Sequence, residues 1–338
     1  ISCFPTVSED MIYASGHRAE WIYALDRMTG DSIWAYPAGS NYVSSFAVKG
    51  DKFFVQLSDQ GLVCLQKNTG EVLWEYGSES NQTVPLVDDK YVYFTSELSD
   101  IIVALTHDGE EVWKYVSESP IDDFESFLSA GDTIFLKSRG YLVALDQDTG
   151  NEYWRSKLEN DNSLLGNYNM LSWAPDILVV HEWQGDWEGP FMMQGWDKRT
   201  GEMQWSKALN NGSEVGATAF GKYLVNVNDG ILQFRRSSIG ELVQEITGEN
   251  FCNWSRVIVV DSMILVSKRT EIAILTSEAS NSDELPFQWR ILGNPVNAKI
   301  TLEISTETPK DIDYRVIGAG GEFTAVSGRL FASETSLV

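Results

Sequence analysis

The sequence LVALDQDTGNEYW, residues 142–154, decides the fold of this chain. It holds an apolar run, a polar turn that closes on Thr149-Gly150, and a Trp four residues after the glycine. Related strings are IYALDRMTGDSIW at 22–34, LVCLQKNTGEVLW at 62–74, IVALTHDGEEVW at 102–113 and MQGWDKRTGEMQW at 193–205. Two decayed copies follow, ILQFRRSSIGELVQ at 231–244 and IAILTSEASNSDELPFQW at 272–289. The chain is therefore built from repeats.

The spacing of the copies predicts the architecture. Their turn glycines lie at positions 30, 70, 109, 150, 201 and 240, so the steps are 39 to 41 residues long with one exception of 51. A strand-turn-strand unit that recurs about every 40 residues is typical of propeller blades with four strands each. One such sheet cannot bury both of its faces, whereas sheets that stack face on face can. We therefore predict an all-β propeller.

Each part of the repeat has a structural explanation. Alternation places Val143 and Leu145 on one face of a strand and Leu142 and Ala144 on the other, so both faces are apolar. The aspartate of the turn is expected to accept hydrogen bonds from nearby backbone amides, and the glycine to adopt a positive φ. The Trp then lies on the outer strand, where it can pack on the adjoining sheet. We interpret the repeated tryptophans as structural.

The positions of the repeated motif are interpreted as structural, not as catalytic or binding residues. The residues that we assign to this structural motif are Ala24, Asp26, Thr29, Gly30, Trp34, Thr69, Gly70, Trp74, Gly109, Trp113, Ala144, Asp146, Thr149, Gly150, Trp154, Asp197, Thr200, Gly201, Trp205 and Trp289.

The unit Ala-x-Asp-x-x-Thr-Gly-x-x-x-Trp resembles the tryptophan-docking motif of the pyrroloquinoline-quinone-type β-propellers, and the copies at 22–34 and 142–154 match it in full. That superfamily includes quinoprotein alcohol dehydrogenases and the BamB-type lipoproteins of the bacterial outer-membrane assembly machine. The resemblance implies a propeller fold and an extracytoplasmic location in the periplasm, in the cell envelope or outside the cell. It does not specify a function.

The repeats also predict the number of blades. We predict one domain with eight blades, at residues 3–40, 41–80, 81–118, 119–160, 165–210, 213–248, 250–293 and 296–338. The last of these is atypical, because its strands must come from residues 299–338, which contain no docking motif. The alternative is seven blades followed by a C-terminal extension.

The composition excludes several classes of function. The 338 residues include 49 acidic and 25 basic side chains, which give a net charge of −24. Nucleic acids and anionic membrane surfaces both select basic proteins, so neither is expected as a partner. Three separated cysteines, Cys3, Cys64 and Cys252, predict neither a metal site nor a disulfide framework, and Cys64 is expected to be a small buried apolar residue. No transmembrane segment or signal peptide is visible.

The step of 51 residues marks an insertion at residues 181–193. Loops on a rigid framework often carry binding residues, and this one is rich in Trp, Gly and acidic side chains. The candidate binding residues are His181, Trp183, Asp186, Trp187 and Glu188. The alternative is a hairpin extension that only packs on its neighbours.

No catalytic constellation is evident. Only three histidines are present, and no adjacent cysteine pair like that of many quinoprotein dehydrogenases occurs. Pyrroloquinoline quinone and calcium are therefore not supported by the residues, and no metal is expected. We predict a monomeric, non-catalytic scaffold that binds a protein or peptide. The alternatives are a small quinone-dependent dehydrogenase and a glycan- or cell-envelope-binding module.

Overall fold

The computed structural model describes residues 6–8, 10–15, 20–39, 43–57, 60–77, 84–96, 100–118, 121, 127–138, 140–158, 171–183, 191–209, 216–247, 251, 257–260, 263–267, 272–277, 289–291, 312–314 and 328–330. These residues form two compact units, which are described separately. The first holds sheets I to IV and the turn Arg199–Gly201, and the second begins at Ser172 and holds sheets V to VII.

All described regular structure is β. In the first unit, sheet I contains β1 (Thr6–Val7), β2 (Met11–Ser15), β3 (Trp21–Asp26) and β4 (Ser32–Pro37), and sheet II contains β5 (Val43–Lys49), β6 (Lys52–Leu57), β7 (Gly61–Gln66) and β8 (Val72–Tyr76). Sheet III contains β9 (Leu86–Val87), β10 (Tyr91–Ser96), β11 (Ile101–Thr106) and β12 (Glu111–Val116), and sheet IV contains β13 (Phe127–Ala130), β14 (Thr133–Ser138), β15 (Tyr141–Asp146) and β16 (Glu152–Lys157).

In the second unit, sheet V contains β17 (Leu171–Trp173), β18 (Ile177–Trp183), β19 (Phe191–Asp197) and β20 (Met203–Leu209). Sheet VI contains β21 (Thr218–Phe220), β22 (Tyr223–Asn228), β23 (Ile231–Arg236) and β24 (Leu242–Ile246), and sheet VII contains β25 (Ile258–Val260), β26 (Met263–Ser267), β27 (Ile272–Ser277) and β28 (Trp289–Ile291). A separate pair joins β29 (Ile312–Tyr314) to β30 (Gly328–Leu330).

Every four-stranded sheet is an antiparallel meander in chain order. The connections between first and second strands and between third and fourth strands lie at one end of each sheet, which we call the turn end. The connection between second and third strands lies at the other end, the loop end. The all-β expectation is confirmed, whereas the described residues do not establish the number of blades.

Within each unit the core lies between consecutive sheets. Between sheets I and II, for example, Tyr13 and Ile22 of one sheet share a buried apolar cluster with Phe53, Val55 and Val63 of the next. Both faces of a central strand are buried in this way: Leu142, Val143, Ala144 and Leu145 have almost no exposed surface.

The repeated turn has the predicted local chemistry. The Asp26 Oδ1 atom accepts hydrogen bonds from the amides of Met28 (2.8 Å) and Thr29 (2.7 Å), and the Gly30 amide donates to the Asp26 carbonyl (2.8 Å). Gly30 has a φ of 75°, in the left-handed region that favours glycine. Asp146 and Gly150 repeat this arrangement in sheet IV.

Each docking Trp contacts the turn of the following sheet. The ring lies so close to the turn glycine that an added Cβ would meet ring atoms at 2.4 to 2.8 Å; the pairs are Trp34 with Gly70, Trp74 with Gly109, Trp113 with Gly150, Trp154 with Gly201, and Trp205 with Gly240. The indole N–H also finds a partner in that turn. Trp34 Nε1 donates to the Lys67 carbonyl (2.9 Å) and Trp113 Nε1 to the Gln147 carbonyl (2.8 Å).

Two features of the docking site were not anticipated from the sequence. In sheets I to VI a β-bulge on the fourth strand immediately precedes the Trp or its replacement. The residue opposite the Trp is small, as in the pairs Ala24 with Trp34, Cys64 with Trp74, and Gly195 with Trp205. Cys64 is buried, as predicted, and burial raises the pKa of its thiol to about 12.

The two decayed copies differ from this pattern in different ways. In sheet VI the sizes are exchanged: Phe234 stands at the small position and Gln244 opposite it at the position of the Trp. In sheet VII, Trp289 lies opposite Ser277 and not opposite Ile274, the residue that corresponds to Ala24. The assignment of Trp289 to the docking register was therefore wrong, since the long connection before β28 shifts the pairing.

Asp88 forms a polar joint between sheets III and IV. Its carboxylate accepts hydrogen bonds from the amides of Lys90 (2.8 Å) and Tyr91 (2.9 Å), the Tyr93 hydroxyl (3.0 Å), the Ser129 hydroxyl (3.3 Å) and the Gln147 side-chain amide (2.5 Å). Partial burial alone would raise the pKa of Asp88, but these donors together lower it below its ordinary value of 3.8.

We expect Gly150→Ala to destabilise the fold more than Gly30→Ala. Both glycines have similar positive φ angles, so the backbone strain of about 1–2 kcal/mol is shared. Only the Cβ at position 150 meets a ring, that of Trp113 at 2.7 Å, whereas position 30 is open. Overpacking there should add about 1–3 kcal/mol. Urea unfolding curves of the two variants measure the difference, and equal losses would contradict tight docking.

We expect Asp88→Asn to reduce stability at neutral pH by about 2 kcal/mol, because an amide cannot accept hydrogen bonds from all these donors. The pKa of Asp88 is lower in the folded protein than its ordinary value of 3.8, so the ionised carboxylate stabilises the fold at pH values above 3.8. This stabilisation is lost as the pH falls through the lower, folded-state pKa. The variant should therefore lose less stability than the parent between pH 7 and pH 3. Asp89→Asn, at a carboxylate 94% exposed, is the control; a response like that of Asp88→Asn would refute the joint.

Candidate binding site

The insertion predicted at residues 181–193 is partly strand. β18 and β19 are seven residues long, against six for β14 and β15. Their pairing continues through His181 with Met193, Glu182 with Met192 and Trp183 with Phe191. The predicted loop boundaries therefore need correction, since the connection between the two strands covers only residues 184–190. These residues, and with them the candidates Asp186, Trp187 and Glu188, lie outside the described residues.

His181 lies inside the extended hairpin. Its side chain has no exposed surface, and its ring stacks on Phe191 with centroids 5.8 Å apart and planes at 21°. In this position it supports the base of the hairpin and cannot touch a partner directly. Trp183 ends β18 opposite Phe191. His181 and Trp183 thus lie two residues apart at the same end of β18.

The face of sheet V that carries His181 is turned toward sheet VI. Val179, Phe191 and Trp205 on this face share a buried apolar cluster with Ala217 and Leu224 of the neighbouring sheet. Side chains alternate between faces along a strand, so Asn226 and Asn228 lie on the same face of β22 as Leu224. The His181 side chain and these two asparagines consequently occupy the same interface.

Sheet VI presents a polar face to this interface. Asn226, Asn228, Gln233 and Arg235 are all buried, and we call these four residues the polar seam. The repeat supplies a comparison, because the corresponding positions in sheets II, III and IV are known from the strand registers. The position of Asn226 is occupied by Val55, Phe94 and Leu136 in these three sheets. The position of Gln233 is occupied by Val63, Val103 and Val143. The position of Arg235 is occupied by Leu65, Leu105 and Leu145.

Hydrogen bonds join part of the seam. Arg235 Nη2 donates to Gln233 Oε1 (3.0 Å), Arg235 Nη1 donates to the Gly240 carbonyl (3.2 Å), and Gln233 Nε2 donates to Glu245 Oε1 (2.8 Å). Burial lowers the pKa of Arg235, and the negative charge of Glu245 opposes that shift. The seam offers hydrogen-bond donors and acceptors and one buried positive charge, which suit binding rather than nucleophilic chemistry.

Sequence reasoning missed the seam, although a signal was present. The strands YLVNVN and ILQFRR alternate between apolar and polar residues, and this pattern normally indicates a face exposed to water. The strands are joined by Asp229-Gly230, with φ angles of 52° and 73°, a two-residue hairpin of the kind that this dipeptide favours. The alternation was real, but a neighbouring sheet covers the polar face.

The described residues show neither a membrane helix nor a metal cluster. No helix among them has the length and apolar character to cross a bilayer. In the same part of the chain, no three His, Cys, Asp or Glu side chains are grouped so that they could hold a metal ion. The expectation that the protein works without a metal remains a prediction.

Comparison with known proteins assigns the family. The family model described as outer membrane protein assembly factor BamB matches residues 18–169 and 125–247, which together exceed half of the chain. The chain belongs to the BamB family. The resemblance first drawn from the docking motif is thereby confirmed.

The relatives of this chain include two kinds of protein. The chain is 24% identical over 291 residues to the outer membrane protein assembly factor BamB of Shewanella oneidensis, and the match covers 80% of this chain and 70% of the relative. It is 26% identical over 216 residues to the quinoprotein ethanol dehydrogenase of Pseudomonas aeruginosa, covering 57% of this chain but only 31% of the enzyme.

The structure is similar to that of BamB from Moraxella catarrhalis, with a TM-score of 0.61 and 16% identity over 81% of this chain and 84% of that one. At this identity the likeness concerns the fold alone. It supports the β-propeller expectation and leaves the number of blades open.

Proposed function

We propose that the protein is a monomeric, non-catalytic β-propeller scaffold that binds a protein or peptide partner through the hairpin between β18 and β19. The observation that carries this proposal is the extension of that hairpin. β18, β19 and β20 each have seven residues, and pairing runs without interruption to Trp183 and Phe191. A short connection on two paired strands can present side chains with little loss of conformational entropy on binding.

The composition of the connection fits a binding role. Residues 184–190 read QGDWEGP and carry Trp187 between Asp186 and Glu188. Tryptophan supplies much of the binding energy at protein interfaces, and flanking carboxylates select a basic partner. His181 and Phe191 stack beneath the hairpin and hold its base. In this proposal Trp183, Asp186, Trp187 and Glu188 contact the partner, and His181 positions them.

Family membership supports an extracytoplasmic role. The relative from Shewanella oneidensis is an outer membrane protein assembly factor, so we propose that this chain also acts in the cell envelope, with another assembly protein as its partner. Its net charge of −24 favours contact with a basic surface and argues against an anionic one.

A quinone-dependent dehydrogenase is the second candidate, and the similarity to a quinoprotein ethanol dehydrogenase favours it. That similarity spans less than a third of the enzyme, and the chain contains no adjacent cysteines. Among the described residues, no three His, Cys, Asp or Glu side chains are grouped so that they could hold a calcium ion. Addition of pyrroloquinoline quinone and calcium, followed by absorbance and alcohol oxidation, tests this candidate.

A glycan-binding module is the third candidate, because exposed tryptophan rings stack on sugars. Trp183 and Trp187 with the neighbouring carboxylates would then contact carbohydrate. A glycan array separates this candidate from protein binding.

We also propose eight blades, with residues 299–338 contributing the last. The face of sheet I supports closure of the ring by another sheet, which either eight or seven blades would supply. Trp21 and Tyr23 are 42% and 41% exposed, whereas Val63, Val103 and Val143, which correspond to Tyr23, are buried. A protein rarely leaves such a sheet face uncovered.

Replacement of residues 183–190 by an Asn-Gly hairpin tests the binding role. We expect the melting temperature to change little, because shortening a connection costs little closure entropy, and we expect at least one partner captured from a native cell-envelope extract to be lost. The matched control replaces Asp229-Gly230 by Asn-Gly, which changes only residue 229 and keeps the two-residue turn of the neighbouring hairpin. Survival of every captured partner would refute the binding role, and collapse of the fold would show that the hairpin is structural.

Deletion of residues 299–338 tests the eight-bladed ring. If these residues form a blade, the shortened protein should aggregate or melt at a much lower temperature, because apolar sheet faces would be exposed. Size-exclusion chromatography and thermal melting measure both effects. A monomer with an unchanged melting temperature would support seven blades with a C-terminal extension.

A further inference from the structure

We propose that the polar seam between sheets V and VI is a built internal site for ordered water. Asn226, Gln233 and Arg235 stand at positions that are apolar in sheets II, III and IV, so their polarity is not a general property of the fold. The proposal is independent of the proposed function of the hairpin.

Asn226 is the first part of the argument. Its side chain has no exposed surface, and within the described residues neither its Oδ1 nor its Nδ2 atom has a hydrogen-bond partner. An amide buried in this way destabilises the fold unless another group satisfies it. Leu, which has nearly the same shape, would carry no such cost. The amide therefore requires a partner of small size with both donor and acceptor capacity.

Arg235 is the second part. The residue is 8% exposed, and its Nε atom has no partner among the described residues, although Nη1 and Nη2 donate hydrogen bonds. Gln233 lies directly opposite Asn226 across the strands and two residues before Arg235 on the same face. The open atoms of Asn226 and Arg235 therefore flank the Gln233 side chain on one sheet surface.

The chemistry selects water over a charged ligand. Nε of Arg235 donates only, whereas the Asn226 amide both donates and accepts, so a bridging group must also do both. Water does so, and buried waters typically make about three hydrogen bonds to groups of this kind. A small anion could only accept, and would leave Asn226 Oδ1 without a donor. The charge of Arg235 is also already opposed by Glu245 through Gln233.

The opposite wall keeps the site closed. Val179, Phe191 and Trp205 of sheet V cover this face, and Trp205 is itself fixed by its Nε1–H bond to the Ser237 carbonyl (2.8 Å). This wall also carries the buried His181 side chain, and water held between it and the polar seam would exchange slowly. It would also give this interface fewer direct apolar contacts than the interface between sheets I and II.

The test compares the parent with Asn226→Leu, and with Asn68→Leu, which removes an exposed turn amide, as control. We expect a high-resolution crystal structure of the parent to show water within about 3 Å of the Asn226 amide and of Arg235 Nε. Oxygen-17 relaxation dispersion should count at least one fewer long-lived water in Asn226→Leu, with a small change in melting temperature, and no change in the water count of Asn68→Leu.

Two results would overturn the proposal. A marked rise in the melting temperature of Asn226→Leu with an unchanged water count would show that the amide is simply unsatisfied. Bromide soaked into crystals of the parent and found beside Arg235 by anomalous scattering would show an anion site instead. Both measurements use the full chain, and the bromide soak of the parent does not depend on the folding of either variant.

Discussion

The contact between a tryptophan ring and the turn glycine of the next sheet is the constraint on which the described structure depends. The ring of Trp113 leaves no room for a Cβ at Gly150, and its N–H reaches the Gln147 carbonyl in the same turn. Apolar packing alone would let one sheet slide over the next. A ring that touches a backbone and also donates a directed hydrogen bond fixes the position of one sheet relative to its neighbour.

This contact explains why several positions of the repeat vary together. The ring must leave the edge strand at a particular angle, and the bulge before it supplies that angle by adding one unpaired residue. The ring also needs space over the third strand, so the opposite position holds Ala144, or Gly195 beneath Trp205. Where the Trp is lost, in sheet VI, the bulge remains but the small residue does not: Phe234 stands opposite Gln244. The residues of the motif therefore serve a single packing contact, and a change at one of them affects what the others can be.

The same reasoning shows how far the sequence could predict the structure. The all-β fold, the turn chemistry and the burial of Cys64 follow from short-range patterns in which few alternatives compete. The register of Trp289 did not follow, because a glycine-free connection gives no local signal that fixes where β28 begins to pair. The binding candidates were predictable only in part: the extra length of the insertion was visible, but pairing through His181 depends on the partner strand. The polar seam was hidden because alternation along a strand reports the chemistry of a face and not what covers it.

A repeat framework separates stability from function, and the seam and the hairpin illustrate this separation. Docking contacts on sheets I to V involve the turn end, where Gly70, Gly109, Gly150, Gly201 and Gly240 lie. The extended hairpin and the Asp229-Gly230 turn lie at the loop end, where no docking residue constrains the sequence. Insertions and polar substitutions can therefore accumulate at that end with little effect on the contact that orders the sheets. The seam reaches from the loop end at Asn228 toward the docking contact at Arg235, which bonds the carbonyl of Gly240 beneath Trp205. The polar seam between sheets V and VI therefore connects the docking contact of Trp205 with the loop end, where the candidate binding hairpin lies.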